Sequence, residues 1–189
     1  AALLITWLST LVWRKRSAPG AKQLLILLLA ISQWMLTYSL ELLGADLSTK
    51  HFWAQVEYFG IVSLPVAWLY FALNFTGQER KIQQHRWRFA LFILPVLTLV
   101  MAWTPALQSL IWQSSTLDHS GLFLVMISQY GYGFWSFVVY TYTLFLIGSI
   151  ILLRSVTRIN RRYRNQIFAV LIAVLAPIVG NILYLFDLN

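Results

Sequence analysis

Cysteine is absent from the 189 residues, and only 11% of them are Asp, Glu, Lys or Arg. Without thiols there can be no disulfide framework, no thiolate metal site and no cysteine nucleophile. Among the charged residues the acids are the fewer, six against fourteen Lys and Arg, for a formal net charge of +8. The three histidines do not form a constellation, since His51 and His119 fall in stretches expected on one side of a membrane and His85 on the other. No HExxH motif and no Gly-rich nucleotide loop occurs, and Asp46 and Asp118 near the two outer histidines lack metal-ligand spacing. A retinal-type Schiff base needs a lysine in mid-membrane, whereas Lys15, Lys22, Lys50 and Lys81 lie in loops or at helix ends. We therefore expect no catalytic residue, no metal and no cofactor in this stretch.

Apolar surface is what the chain has in abundance. Hydrophobic residues make up 59% and aromatic residues 16%, and the mean hydropathy is +0.70. A soluble core of this length has no use for so much apolar surface. Stretches near the ~20 residues that cross a bilayer occupy 1–13, 22–43, 53–75, 87–104, 134–153 and 165–186. The expected fold is all-α and membrane-embedded, with six transmembrane helices of a seven-helix bundle in one domain over 1–189. Ala1 already lies inside an apolar run, so the natural chain is expected to begin earlier. Ser17-Ala18-Pro19-Gly20, Thr76-Gly77-Gln78-Glu79 and Gly131-Tyr132-Gly133 punctuate the spans.

Thirteen of the fourteen Lys and Arg fall on one side of these spans, in loops 14–22, 76–88 and 154–164, with Lys50 the exception. The positive-inside rule makes that side cytoplasmic, so the basic runs mark topology and anionic lipid, not a nucleic-acid surface. Six crossings leave Ala1 and Asn189 on the outer side, and a cytoplasmic output domain would need a seventh helix beyond Asn189. The outer loop 105–133 carries no Lys or Arg. Its runs 109–113 and 121–128, around Asp118-His119-Ser120-Gly121, predict a short β-hairpin between the fourth and fifth spans.

Polar side chains inside a membrane face the bundle or a water-filled cavity by default, which makes their spacing informative. Gln33, Thr37 and Glu41 recur every four residues on one helical face. Glu57, Gly60, Ile61, Leu64 and Trp68 follow a face of the next span, which Pro65 is expected to bend. Ser136, Tyr140 and Thr143 mark the fifth span, and Pro177, Asn181 and Tyr184 the sixth. Their convergence predicts a pocket open to the outside, formed by Gln33, Thr37, Tyr38, Glu41, Glu57, Tyr58, Trp135, Tyr140, Asn181 and Tyr184. Its two carboxylates among aromatic rings suit a cation or an amphipathic molecule. The same residues also fit a plainer reading, in which the carboxylates reach interfacial water and the hydroxyls and amides are packing contacts between helices.

Several stretches together carry a family resemblance. They are Trp13-Arg14-Lys15-Arg16 with Pro19-Gly20, Tyr38-Ser39-Leu40-Glu41, Glu57-Tyr58-Phe59-Gly60-Ile61 with Pro65, and Phe71-Ala72-Leu73-Asn74-Phe75-Thr76-Gly77. Farther on come Pro95, Thr98, Thr104, Tyr130-Gly131, Gly133-Phe134-Trp135, and Pro177 with Asn181 and Tyr184. In order and spacing the chain resembles the N-terminal seven-helix sensor region of bacterial histidine kinases, a region also found ahead of PAS and diguanylate cyclase domains. One departure concerns the position after the fourth span, where the family often shows Thr-Asn followed by His and this chain has Thr104-Pro105 and Gln108.

The resemblance implies a sensory input domain in the inner membrane of a bacterial cell, part of a two-component system. It would detect an outer or intramembrane stimulus, a small molecule or a membrane-derived ligand, and relay it to a covalently linked cytoplasmic signalling domain. It also implies a homodimer through the parent protein, while phosphotransfer would lie outside these residues. The alternative is a small-molecule transporter or channel-like helical bundle. A transporter leads one to expect inverted repeats and interrupted helices, whereas Pro65 and Pro177 are single kinks and no internal repeat is visible.

Overall fold

The computed structural model describes residues 7, 9–10, 12–14, 20–78, 85–119, 124–156 and 171–172. Within these, four long helices, a 3₁₀ turn and a two-stranded sheet succeed one another: α1 (Ala21–Leu43), α2 (Leu47–Phe75), α3 (His85–Trp103), the 3₁₀ turn (Pro105–Leu110), β1 (Trp112–Asp118), β2 (Val125–Tyr130) and α4 (Tyr132–Val156). Three of the helices, α1, α2 and α4, are long and apolar enough to cross a membrane, and Phe89–Trp103 of α3 is a shorter apolar stretch. The expected spans 1–13 and 165–186, and with them Pro177, Asn181 and Tyr184, lie largely or wholly outside the described residues.

Helix ends follow local chemistry more than hydropathy. Helix α2 starts at Leu47, ahead of the apolar run that begins at 53, because Asp46 caps it: the Asp46 carboxylate accepts from the Thr49 backbone N–H at 3.1 Å and from the Thr49 hydroxyl at 2.7 Å. Such a cap satisfies one of the first-turn N–H groups that have no partner inside the helix. At its other end Gly77 takes φ +68°. There the Gly77 N–H donates to Asn74 O at 3.2 Å and the Gln78 N–H to Leu73 O at 2.8 Å. That pair of bonds is the Schellman arrangement, which asks for a glycine at the left-handed position. With 29 residues and a rise of ~1.5 Å per residue, α2 is about 44 Å long, longer than the ~30 Å hydrocarbon layer.

Helix α2 is the hub. It is apolar all round, and such a helix belongs at the centre of its bundle. One buried cluster joins Leu27 and Ala30 of α1 to Leu64, Trp68, Phe71 and Ala72 of α2 and Leu152 of α4. A second joins Ala54, Tyr58 and Val62 of α2 to Ala102 of α3, Ile111 and Trp112 beside the sheet, and Phe137 of α4. The third packs Val66, Leu69 and Leu73 of α2 on Leu144 of α4.

Close approach depends on missing side chains. A Cβ on Gly60 would stand 2.7 Å from Ala30 O, and one on Gly148 would stand 2.6 Å from Trp68 Nε1. Trp68, fully buried, donates its indole N–H to Phe145 O at 3.1 Å. Proline bookkeeping is also visible. Pro95 lacks an N–H and frees the carbonyl four residues earlier, and that carbonyl, Leu91 O, accepts the Tyr140 hydroxyl at 2.6 Å.

The strands pair antiparallel, with Ser115 opposite Ser128 and Asp118 opposite Val125, and a bulge falls between Trp112 and Ser114. The first strand begins later than the run 109–113 suggests, because Pro105 to Leu110 coil into the 3₁₀ turn that follows α3. Trp112 ties the sheet to α2, edge-on to His51 at 4.6 Å and to Tyr58 at 5.2 Å between ring centroids. The sheet therefore sits on the same end of α2 as Lys50 and Glu57.

Candidate functional site

Helices α1 and α2 form a hairpin around the turn 44–46, and the polar residues of α1 lie along its seam. The stripe Gln33, Thr37, Glu41 meets α2 directly. Gln33 donates its amide to Val56 O at 2.8 Å, a backbone carbonyl on the facing helix. Thr37 instead turns its hydroxyl to its own helix, to Gln33 O at 2.9 Å and Trp34 O at 3.0 Å. Both carboxylic acids are buried, Glu41 at 8% and Glu57 at 7% exposure. Their side chains lie within hydrogen-bonding reach of each other across the seam.

Two residues outside the expected pocket complete this cluster. Trp34 donates its indole N–H to Glu57 Oε2 at 3.1 Å. Lys50, fully buried, donates its ammonium to Glu41 O at 2.8 Å and Leu42 O at 3.3 Å. These are terminal carbonyls of α1, where a helix has unpaired acceptors and the negative end of its dipole, and a cation there is stabilising. Lys50 also exerts a favourable charge interaction on Glu41. The basic residue that stands apart from the charge pattern is thus an internal cap. Trp34 had a signal in the sequence, because it stands three residues before Thr37 and seven before Glu41, on the same helical face. The signal for Lys50 was its isolation from every other Lys and Arg.

The remaining expected members separate. Tyr58 is buried against Trp112 and Ala54 in the cluster shared by α2, α3 and the sheet. Tyr140 belongs to the α3–α4 contact through Leu91 O. Tyr38 and Trp135 are exposed large aromatics, and Trp135 meets Phe134 edge-on at 5.5 Å. Ser136 and Thr143 are exposed on α4, with hydroxyls bonded to Tyr132 O and Val139 O of their own helix. A hydroxyl satisfied in this way can face lipid, so spacing alone did not determine where these two point. Asn181 and Tyr184 lie outside the described residues. What assembles is a narrow seam of Gln33, Trp34, Thr37, Glu41, Lys50 and Glu57.

The cluster contains acceptor oxygens without donors, Glu57 Oε1 and Gln33 Oε1, and an unsatisfied buried acceptor costs ~1–3 kcal/mol. At the turn beside it, the hydrogen bonds from the Thr49 hydroxyl and N–H and from Ser48 hold the exposed Asp46 carboxyl below the ordinary Asp range.

A family model described as the N-terminal 7TM region of histidine kinase matches residues 1–189. Neither the curated proteins nor the solved structures contain a match to this chain.

Proposed function

Because the chain belongs to the N-terminal 7TM region of histidine kinase, we propose that it is the membrane-embedded sensory input domain of a kinase, which converts an outer or intramembrane stimulus into a change of helix packing. The relay ends on a covalently linked cytoplasmic domain that carries phosphotransfer, and the parent protein works as a homodimer in the inner membrane. The basic loops 14–22, 76–88 and 154–164 face the cytoplasm.

The observation that supports this reading is the buried polar seam, in which Glu41, Glu57, Lys50 and Trp34 meet between two helices long enough to span a bilayer. Ionisable groups inside a membrane are expensive and mark functional sites by default. Here they lie at the contact whose geometry would have to change. A ligand acts on such a contact only through the difference in its affinity for the two packings. The chemistry of the seam favours a small cation or the cationic head of an amphipathic molecule.

The test is autophosphorylation of the full-length protein in lipid nanodiscs, from labelled ATP, with the wild type and the Glu41→Gln, Glu57→Gln double variant. The expected result is that the double variant is folded and labels itself at a rate displaced at least several-fold from wild type, in either direction. Equal labelling under every tested condition, or solute uptake by proteoliposomes in place of labelling, would reject the sensory reading of the seam.

A further inference from the structure

Donors and acceptors do not balance at the α1–α2 seam. Glu57 Oε2 takes the Trp34 N–H, and Glu57 Oε1 takes none. The bonds made by the nearby donors go elsewhere, the Lys50 ammonium to Glu41 O and Leu42 O, the Gln33 amide to Val56 O and the Thr37 hydroxyl to carbonyls of its own helix, and none of them reaches Glu57 Oε1. The group within reach of the Glu57 carboxyl is the Glu41 carboxyl. Two ionised carboxylates possess acceptors only, so no hydrogen bond can join them unless one carries a proton.

Charge leads to the same place. With both acids ionised, the buried cluster would hold two negative charges against the one positive charge of Lys50. A single added proton brings the sum to zero, and uncompensated charge is what a membrane interior penalises. Like-charged carboxyls in one site characteristically keep a proton between them.

We infer that Glu41 and Glu57 form a built site for one proton, shared between their carboxyls, and that its occupancy governs how closely α1 packs on α2. The other titratable groups around the pair are accounted for. His51 turns to Trp112 of β1 at 4.6 Å, and the Asp46 carboxyl is bound by Ser48 and Thr49. Tyr58, next to Glu57 on α2, lies near Tyr130 of β2. Among the described residues, no charged group of α3 or α4 acts on either carboxyl. When the proton leaves, the seam gains a repelling pair one turn from Gly60, where a Cβ would stand 2.7 Å from Ala30 O, and α1 is pushed from α2. The pair titrates as a unit, so its release belongs to the two acids together.

The inference stands on the geometry of the pair and not on the sensory reading, and its readout is separate. Infrared difference spectra of the full-length protein in nanodiscs are recorded as the pH is raised, for wild type, Glu41→Gln, Glu57→Gln and the control Asp46→Asn. The expected result is one protonated-carboxyl stretching band that disappears with rising pH in wild type and in the control, and is lost or displaced in both Gln variants. No titrating band in wild type, or a band unchanged in both Gln variants, overturns the proposal. A band removed by sodium at constant pH also overturns it, because the site would then hold a metal cation. If a Gln variant fails to fold, Glu57→Asp decides: a shifted midpoint supports the shared proton and an unshifted one rejects it. A titrating band with phosphorylation insensitive to the seam would leave the proton in place and reject the sensory reading alone.

Discussion

Among single residues, Lys50 has the largest consequence for its size. Its ammonium is fully buried and bonded to two carbonyls at the end of α1. Charged hydrogen bonds of this kind contribute ~1.5–3 kcal/mol, so Lys50→Met should lower the stability of the folded protein by about 2 kcal/mol, measurable as a fall in the unfolding midpoint in detergent. Gly60 offers a second case. A methyl there would meet both Gln33 Oε1 and Ala30 O, and overpacking of this sort costs ~1–3 kcal/mol. Gly60→Ala should therefore also reduce thermal stability, read as a fall in the unfolding midpoint. The Asp46 cap yields a dependence on acid. Its pKa is lowered in the fold, so the stabilisation is fully present above the ordinary value of 3.8 and is lost as the pH falls through the lower folded value. Wild type and Asp46→Asn should therefore diverge in melting temperature at neutrality and converge once the pH has fallen below the lowered folded value. At this scale the sequence disclosed the polar stripe Gln33, Thr37, Glu41 through its spacing, but not the partners. Trp34 and Lys50 reach the seam through long side chains whose direction is set by packing, which periodicity does not encode.

At the scale of elements, hydropathy located the described helices well, and chemistry moved their ends. Asp46 carries α2 back to Leu47, and the 3₁₀ turn from Pro105 runs through Ser109 and Leu110, where the run 109–113 was expected to start the first strand. A small two-stranded sheet was legible from alternation and turn residues. Its attachment to α2 through Trp112 was not, because an aromatic in a loop looks the same in sequence whether it faces lipid or a helix. Pro65 and Pro95 lie inside α2 and α3, and what compensates a proline's missing N–H depends on a neighbouring helix. Tyr140 supplies the hydrogen bond that Pro95 removes from Leu91 O. Tyr140→Phe should thus cost up to ~1.7 kcal/mol. In a Pro95→Ala background, where the backbone restores its own donor, the same change should cost much less. A double-mutant cycle on unfolding free energies measures the coupling, and equal costs in both backgrounds would reject the pairing.

For the whole molecule, the apolar lengths that α1, α2 and α4 present and the bias of basic residues were readable in the sequence, since both follow from how a bilayer treats length and charge. The arrangement around α2 was not, because apolar faces toward lipid and toward protein have the same composition. The absence of cysteine makes orientation simple to check. A single cysteine placed at Gln113, an exposed position on β1, should react with a membrane-impermeant maleimide added to intact cells. One placed at Gln78, after α2, should react only once the membrane is opened. Labelling in the reverse order would invert the proposed topology.

The Trp68 indole against Gly148 has a mechanical meaning. The ring occupies the notch that a missing side chain leaves in α4, and its N–H is hooked on Phe145 O, nearly one turn away. Turning or sliding α4 by one residue would present Ile147 or Ser149 to the ring, and the hook would lose its carbonyl. The two helices are keyed together like a shaft and its collar. In the proposed relay, a movement of α2 would take α4 with it for as long as this hook stays closed.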